Sequence, residues 1–532
     1  MKFRKLMGVA AVSAAVASLA ACGGSSDSRP TADLRIVHAA TDAPDVRVNL
    51  QNDGIDENAS VRLNRLGFAQ SSAFQRVRPS RYNVTVDAYL PGGVTLDGVI
   101  DETLLFERDR QWTLVATGLL DDGTFGPVVI ETERAPVSAG QARVQLVHAA
   151  PGAPAVDIYL AAIEPVLPPE DDEDDDGDGG DEGGDDGEGG LDPQGLTTLD
   201  ESFDCTAGEP VVVDASFGAF TDRLEVPAGD YQICVTLAAS QTRVFESDIV
   251  GLRAGDDLLV SAIDSAGASL QIADNSPINL LVSFPNATSS LVLRDINDRA
   301  ALNVVHAAAG VGDAEVYFAP QAAFIACVNG DEDHSDVCTD PTIPSIAFGD
   351  SLRTDVDAGS YALRVNAEGA GAAEAPIAAN HLMVGQGRGY IAIAGGHAVD
   401  VEAELFPLFL ERQTRPIATQ ASLRIVHAGS LSGPVAVFVT EAGDITDADV
   451  QFAEVAPDFT LDVRRDSGYL VLPGGDYDIR IAVPLNDGGF DVIYSESGAI
   501  DNGSILDLII RNPDEDEGFF EVELLDIGVA IG

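Results

Sequence analysis

Lysine is nearly missing from this 532-residue chain: Lys2 and Lys5 are its only two, and every cation after them is an arginine. Acids outnumber bases 87 to 30, for a formal charge of −57. Lys2, Arg4 and Lys5 sit together at the start, so the rest of the chain carries −60. Such a surface repels phosphate backbones and anionic headgroups, which excludes nucleic acid as a partner. It suits a saline exterior, where the screening length falls to about 3 Å at 1 M salt. Methionine (three) and tryptophan (one) are scarce while glycine (53) and proline (27) are frequent, a balance that favours turns over helices. Beyond the first residues no stretch keeps a 3.6-residue apolar period, and none is long and apolar enough to span a bilayer. Nucleophile elbow, zinc-protease helix, P-loop and dinucleotide fingerprint are all missing, so no enzyme is expected.

What is present begins with an address. Lys2, Arg4 and Lys5 precede an apolar run from Leu6 to Ala21, the charged and apolar regions of an export signal. It ends in Leu19-Ala20-Ala21-Cys22, followed by Gly23-Gly24-Ser25-Ser26, which resembles the lipobox of bacterial lipoproteins. The resemblance implies a signal peptide over 1–21, acylation of Cys22, a tether over 22–33 and a membrane held as partner through the N-terminal lipid. Two or more acyl chains would anchor the protein stably. The residue after the cysteine is not Asp, which in Gram-negative lipoproteins implies the outer membrane within the cell envelope.

Four segments repeat without gaps: Leu34-Arg-Ile-Val-His38-Ala-Ala, Val144-Gln-Leu-Val-His148-Ala-Ala, Leu302-Asn-Val-Val-His306-Ala-Ala and Leu423-Arg-Ile-Val-His427-Ala-Gly. A small-residue turn and a second strand follow, beginning at Val46, Val156, Ala314 and Val435. Next comes a phenylalanine, Phe68, Phe217, Phe348 or Phe452, and then a strand opening on Tyr82, Tyr231, Tyr361 or Tyr477. Apolar residues alternate with period two, the signature of strands with one buried face. Short strands, Gly/Pro turns and a repeat of roughly 100 residues predict an all-β tandem array of four Ig-like, Greek-key β-sandwich modules. Their bounds are 34–140, 141–297, 298–418 and 419–532. The tyrosine after a Gly turn fits the corner tyrosines of such sandwiches.

At these residues, Val144 to Tyr159 above all, the chain resembles the DUF4397 family of bacterial extracytoplasmic modules. The four copies cover nearly all of the chain after the tether, and the fourth, with Gly429-Ser430-Leu431, departs most. The resemblance implies architecture and location and brings no chemistry with it.

The copies differ in one loop. The separations from motif histidine to phenylalanine are 30, 69, 42 and 25 residues. The second copy therefore carries an insertion of about 40 residues, the acidic stretch at about 165–200, which has too few apolar residues to fold. Within it Asp172-x-Asp174-x-Asp176 looks like the start of a calcium loop, but position twelve is Gly183. The register from Asp174 through Asp176 and Asp178 reaches Asp185 instead, closer but still short of a glutamate. Calcium is the one cofactor offered, as diffuse cation association more than as a structured site. Cys22 aside, there are four cysteines and hence three connectivities. Links that stay inside one module, Cys205–Cys234 and Cys327–Cys338, are expected in an oxidising space.

His38 shares a face with Leu34 and Ile36, so it points inward and is expected to bond a backbone carbonyl, as are His148, His306 and His427. Nine residues on stand Arg47, Asp157, Glu315 and Ala436, so no His–carboxylate pair recurs. The third copy alone gathers further histidines, His334 beside Asp331 and Asp336, with His381 and His397 later. The expected role is non-enzymatic: binding, adhesion or envelope structure, with an envelope polysaccharide or surface protein as partner. The alternative is an accessory or substrate-binding component of an envelope or polysaccharide-processing enzyme system.

Overall fold

The computed structural model describes residues 31–52, 61–163, 203–266, 271–372, 375–398, 404–431, 433–513 and 521–526. The leader, Cys22, the tether as far as residue 30 and the acidic insertion with Asp172, Asp174, Asp176, Asp178 and Asp185 fall outside those residues.

The described strands form eight sheets, two for each of four sandwiches. In every sandwich the repeated motif is a strand: Ala32–His38, Gln141–His148, Ala300–His306 and Ala421–His427. Each pairs in parallel with a strand late in its own module, respectively Arg110–Thr117, Asp257–Asp264, Gly389–Gly395 and Ile505–Arg511. The opposing sheet is built around the next strand, for example Val46–Asn52 between Val61–Leu66 and Ser80–Tyr89. Valine, isoleucine and leucine fill both inner faces, with Leu34, Ile36, Val48 and Val84 in the first core and Leu302, Val304, Val316 and Val365 in the third. Burying one such side chain is worth about 1.5–3 kcal/mol.

The tyrosines open the central strand of the second sheet. Tyr231, Tyr361 and Tyr477 donate from the hydroxyl to the carbonyl four residues upstream, on Pro227, Asp357 and Pro473, at 2.8, 2.9 and 2.8 Å. These are tyrosine corners, which tie the turn to the strand it introduces. Tyr82 is buried with its ring 5.4 Å from that of Phe106.

The motif strands depart from the one-faced reading: they are buried on both sides. Leu34, Ile36 and His38 face the module's own core, while Val37 and Ala39 pack with Val147, Ala149, Leu259, Ile263 and Leu281 of the second module. The third and fourth modules meet in the same way, through Val305, Ala307, Ile391 and Ile393 against Val426, Ala428 and Ile509. The four sandwiches therefore form two pairs, each joined through its motif sheets. Some polar residues pair across the seam. Buried Asp507 takes Arg424 at 2.6 Å and Arg412, from the preceding module, at 2.7 Å. The Thr117 hydroxyl donates to the Ala149 carbonyl at 2.6 Å.

Two further departures concern loops. The amide after the repeated phenylalanine donates to the motif histidine's carbonyl, from Ala69, Gly218, Gly349 and, in the fourth module, Arg464. The fourth counterpart of Phe68 is therefore Val463, and Phe452 instead closes an inserted helix, Asp447–Gln451, with its ring exposed. A capping box on Thr446 and Asp449 starts that helix, a signal too short to register as a helical period. The third module's acidic loop is likewise a pair of short helices, Gln321–Val328 and Asp336–Thr339, joined by the Cys327–Cys338 disulfide. The second disulfide, Cys205–Cys234, ties the end of the insertion to the central strand Gly229–Leu237.

Candidate functional site

The motif histidines were the first candidates for chemistry. Each sits at the last position of its strand, where the chain leaves the sheet for the post-motif loop. His38, His148, His306 and His427 place Nε2 at 2.9, 3.1, 2.7 and 2.9 Å from the carbonyls of Pro44, Pro154, Gly312 and Gly433, always six residues on. A carbonyl only accepts, so Nε2 carries a proton and donates it. Burial pushes the His38 imidazole down to about 4, against the pull of the Pro44 carbonyl, and lowers His148 and His427 in the same sense. Such a ring is a fixed donor that holds a loop. Burial that lowers the imidazole works against a proton exchange near neutral pH, most strongly at His38.

The residues nine positions on lie across the second sheet from the histidines. Arg47 pairs with Asp87 at 2.6 Å. Asp157 accepts the amides of Asp214 (2.7 Å) and Ala239 (3.2 Å), and Glu315 accepts the Tyr317 hydroxyl (2.9 Å) and the Gly369 amide (2.9 Å). These carboxylates fasten turns. Burial raises Glu315, but the glycine amides and Tyr317 outweigh it and hold it below its ordinary value. On Asp478 the amide of Gly443 and the hydroxyl of Ser497 lead the same lowering.

The third-module histidines are not brought together in one constellation. His334 lies in the short turn between the two helices, 3.4 Å from Asp331. The His381 amide donates to Gln321 at 2.9 Å from the strand Ile377–Val384, and His397 bridges Ala309. Among the described residues one group has metal-ligand spacing, Cys205, Cys234 and Glu246, and its sulfurs are spent on each other.

Two places at the seam of the first pair escaped the sequence reading. One is a polar cleft of about 390 Å³, lined by Arg110, Glu131, Glu133, Arg143, Arg223 and Glu225 among others. Its guanidiniums are engaged: Arg223 donates to Gln111 (2.6 Å) and to the Glu133 carbonyl (2.9 Å), and Arg143 pairs with Glu225 (2.7 Å). The other is Asp264, which accepts the Gly152 amide at 3.0 Å and the Thr41 hydroxyl at 3.3 Å across the seam. Burial raises its carboxyl to about 6, and nearby Asp42 adds to the rise. One signal in the sequence pointed here. After the polar residue at its second position (Arg35, Gln145, Asn303, Arg424), the motif's outward residues are valine and then alanine in every copy, the mark of a strand end covered on both faces.

A domain family of unknown function, DUF4397, matches residues 32–159. That stretch holds the whole first module and the first two strands of the second, to Tyr159. No curated relative matches the chain. Among solved structures, the Bacillus anthracis TIE protein is 8% identical over 89% of this chain and 69% of its own, with a TM-score of 0.12. The glycogen-degrading pneumococcal virulence factor SpuA, solved as a product complex, is 9% identical over 88% of this chain and 38% of its own, at 0.15. The major pilin subunit BcpA of Bacillus cereus is 9% identical over 91% and 99%, at 0.11. At these TM-scores none of the three carries an argument about this chain.

Proposed function

We propose that the chain is a lipid-anchored, extracytoplasmic protein of the cell envelope, attached through Cys22 at the outer membrane. Its four modules share one DUF4397-like fold and serve binding, adhesion or envelope structure without catalysing a reaction. One observation carries the reading. The recurring residues are consumed in construction: the histidine donates to a loop carbonyl in all four modules, the tyrosine ties a turn in three and packs in the core in the first, and the outward residues of the motif join the modules in pairs. Contact with a partner then falls to the parts that vary, the loops and the acidic insertion. An envelope polysaccharide or surface protein is the partner class, with cations gathered loosely by the acids.

A second reading, an accessory substrate-binding role in polysaccharide processing, is favoured by the cleft between the first two modules, whose paired arginines and carboxylates suit a polyhydroxylated ligand. One experiment tests whether the chain binds without catalysing. The mature protein is incubated with purified envelope polysaccharide, with and without millimolar calcium, and both retained polymer and chain length are measured. Retention without shortening is expected, and shortening would overturn the non-enzymatic reading. Cys22→Ser is expected to leave the membrane fraction, and a variant that still pellets with membranes would overturn the anchor.

A further inference from the structure

Phe68 stands just past the strand Val61–Leu66, and its ring meets His38 edge-on, centroids 6.3 Å apart. Over the same ring, 4.9 Å from its centre, lies the guanidinium of Arg415. That guanidinium also donates to the carbonyls of Thr41 (2.7 Å) and Ala43 (3.0 Å), in the loop that His38 holds by its Pro44 carbonyl. Arg415 belongs to the segment 413–420 that links the third module to the fourth. A second anchor lies three residues on, where the Ala418 amide donates to the Asp42 carbonyl at 2.8 Å. Pro416 keeps Arg415 extended, and Ile417 and Gln420 close a tight turn behind it.

The third module has the same arrangement with a different occupant. Phe348 meets His306 edge-on at 5.8 Å, and Arg511 of the fourth module lies 4.3 Å from the ring centre. Gly349, at φ +87°, leaves room for it: an added Cβ would come within 2.8 Å of the guanidinium. The ring, the histidine-held loop and the seated guanidinium thus form a receptor that the fold builds twice. In the third module the occupant is the paired neighbour. In the first module it comes from the opposite half of the chain.

We propose that the cup formed by Phe68 and the carbonyls of Thr41 and Ala43 is a docking site for an arginine in an extended segment, and that the strap 413–420 is its resident occupant, fastening the second pair of modules to the first. Arginine is the cation that fits. One terminal nitrogen, Nη1, donates to both carbonyls while the flat face of the guanidinium lies on the ring, a stacking surface an ammonium lacks, and the guanidinium sheds water more readily than an ammonium. Asp42 and Asp45 supply the surrounding negative charge, and burial works against them, bringing the Arg415 guanidinium down to about 10, still charged at neutral pH.

The test uses the whole mature chain, Arg415→Ala, Arg415→Lys and a labelled synthetic peptide spanning residues 411–420. Small-angle scattering is expected to show a larger radius of gyration for Arg415→Ala than for the wild type. The peptide should bind the alanine variant at least tenfold more tightly than the wild type, whose cup is filled, and a peptide with Ala at its arginine should not bind. Circular dichroism checks the fold. Should Arg415→Ala unfold, Arg415→Lys, which keeps the charge without the fork, gives the same comparison at smaller amplitude. Equal peptide binding by variant and wild type, binding by the arginine-less peptide, or an absence of binding would overturn the docking site. An unchanged radius of gyration would overturn the fastening role.

Discussion

A buried imidazole with one carbonyl partner is a device whose worth depends on pH. The ordinary histidine value is 6.5 and that of His38 in the fold is about 4. Between these values the unfolded chain takes up a proton that the folded chain refuses, so stability falls as pH drops through that window. Asp264 acts in the opposite sense: raised from 3.8 to about 6, it holds a proton in the folded chain that the unfolded chain releases, so its contribution improves as pH falls over that range. Each shift corresponds to roughly 3 kcal/mol at about 1.4 kcal/mol per pH unit. Asp264→Asn keeps an acceptor for the Gly152 amide and removes the titration. The urea midpoint should then fall more steeply between pH 6 and pH 4 in the variant than in the wild type, and equal slopes would mean that Asp264 is ionised throughout. His427→Leu removes the donor to the Gly433 carbonyl, and the lost hydrogen bond is expected to cost about 0.5–1.5 kcal/mol at neutral pH. Denaturant titration should show it as an earlier midpoint at unchanged slope.

Strands were the most legible elements. Their period-two alternation and Gly/Pro turns marked the two central strands of every module, and the tyrosine after a Gly turn marked the corners found at Tyr231, Tyr361 and Tyr477. The second covered face of the motif strand was visible only in the outward valine and alanine of each copy, such as Val37 and Ala39, and is ambiguous in isolation, because apolar residues say that a face is covered and not by what. The helices Gln321–Val328 and Asp447–Gln451 left no readable period because two turns or fewer give too few residues for one. The shared seam predicts the unit of folding. Residues 31–140 alone expose Val37, Val115 and Ile130, all buried in the whole chain, whereas 31–297 covers them. Sedimentation should find the longer fragment monomeric and the shorter one self-associated. A soluble monomer of 31–140 would show the seam to be dispensable.

Over the whole molecule, charge was plain in the sequence and contacts between distant modules were not, since nothing in a linear pattern pairs Arg415 with a carbonyl more than 370 residues away. The −60 carried beyond the leader opposes compaction at low ionic strength, and salt screens it. The melting temperature should rise as sodium chloride goes from about 10 mM towards 1 M. Millimolar calcium should add more than its ionic strength accounts for. Deleting residues 168–195 should leave the sodium response in place and reduce the calcium increment. A flat or falling response to sodium would remove the argument from charge. The parallel pairing of first and late strands has a consequence of another kind. In the first module Arg35 lies beside Thr113, 78 residues later, so the sheet that holds the histidine cannot close until nearly the whole module is available. Contacts that distant in sequence form slowly. For the exported protein proposed above, threaded through a channel before it folds, this delay is useful: each module would stay open while in transit and lock only when its own tail has been delivered.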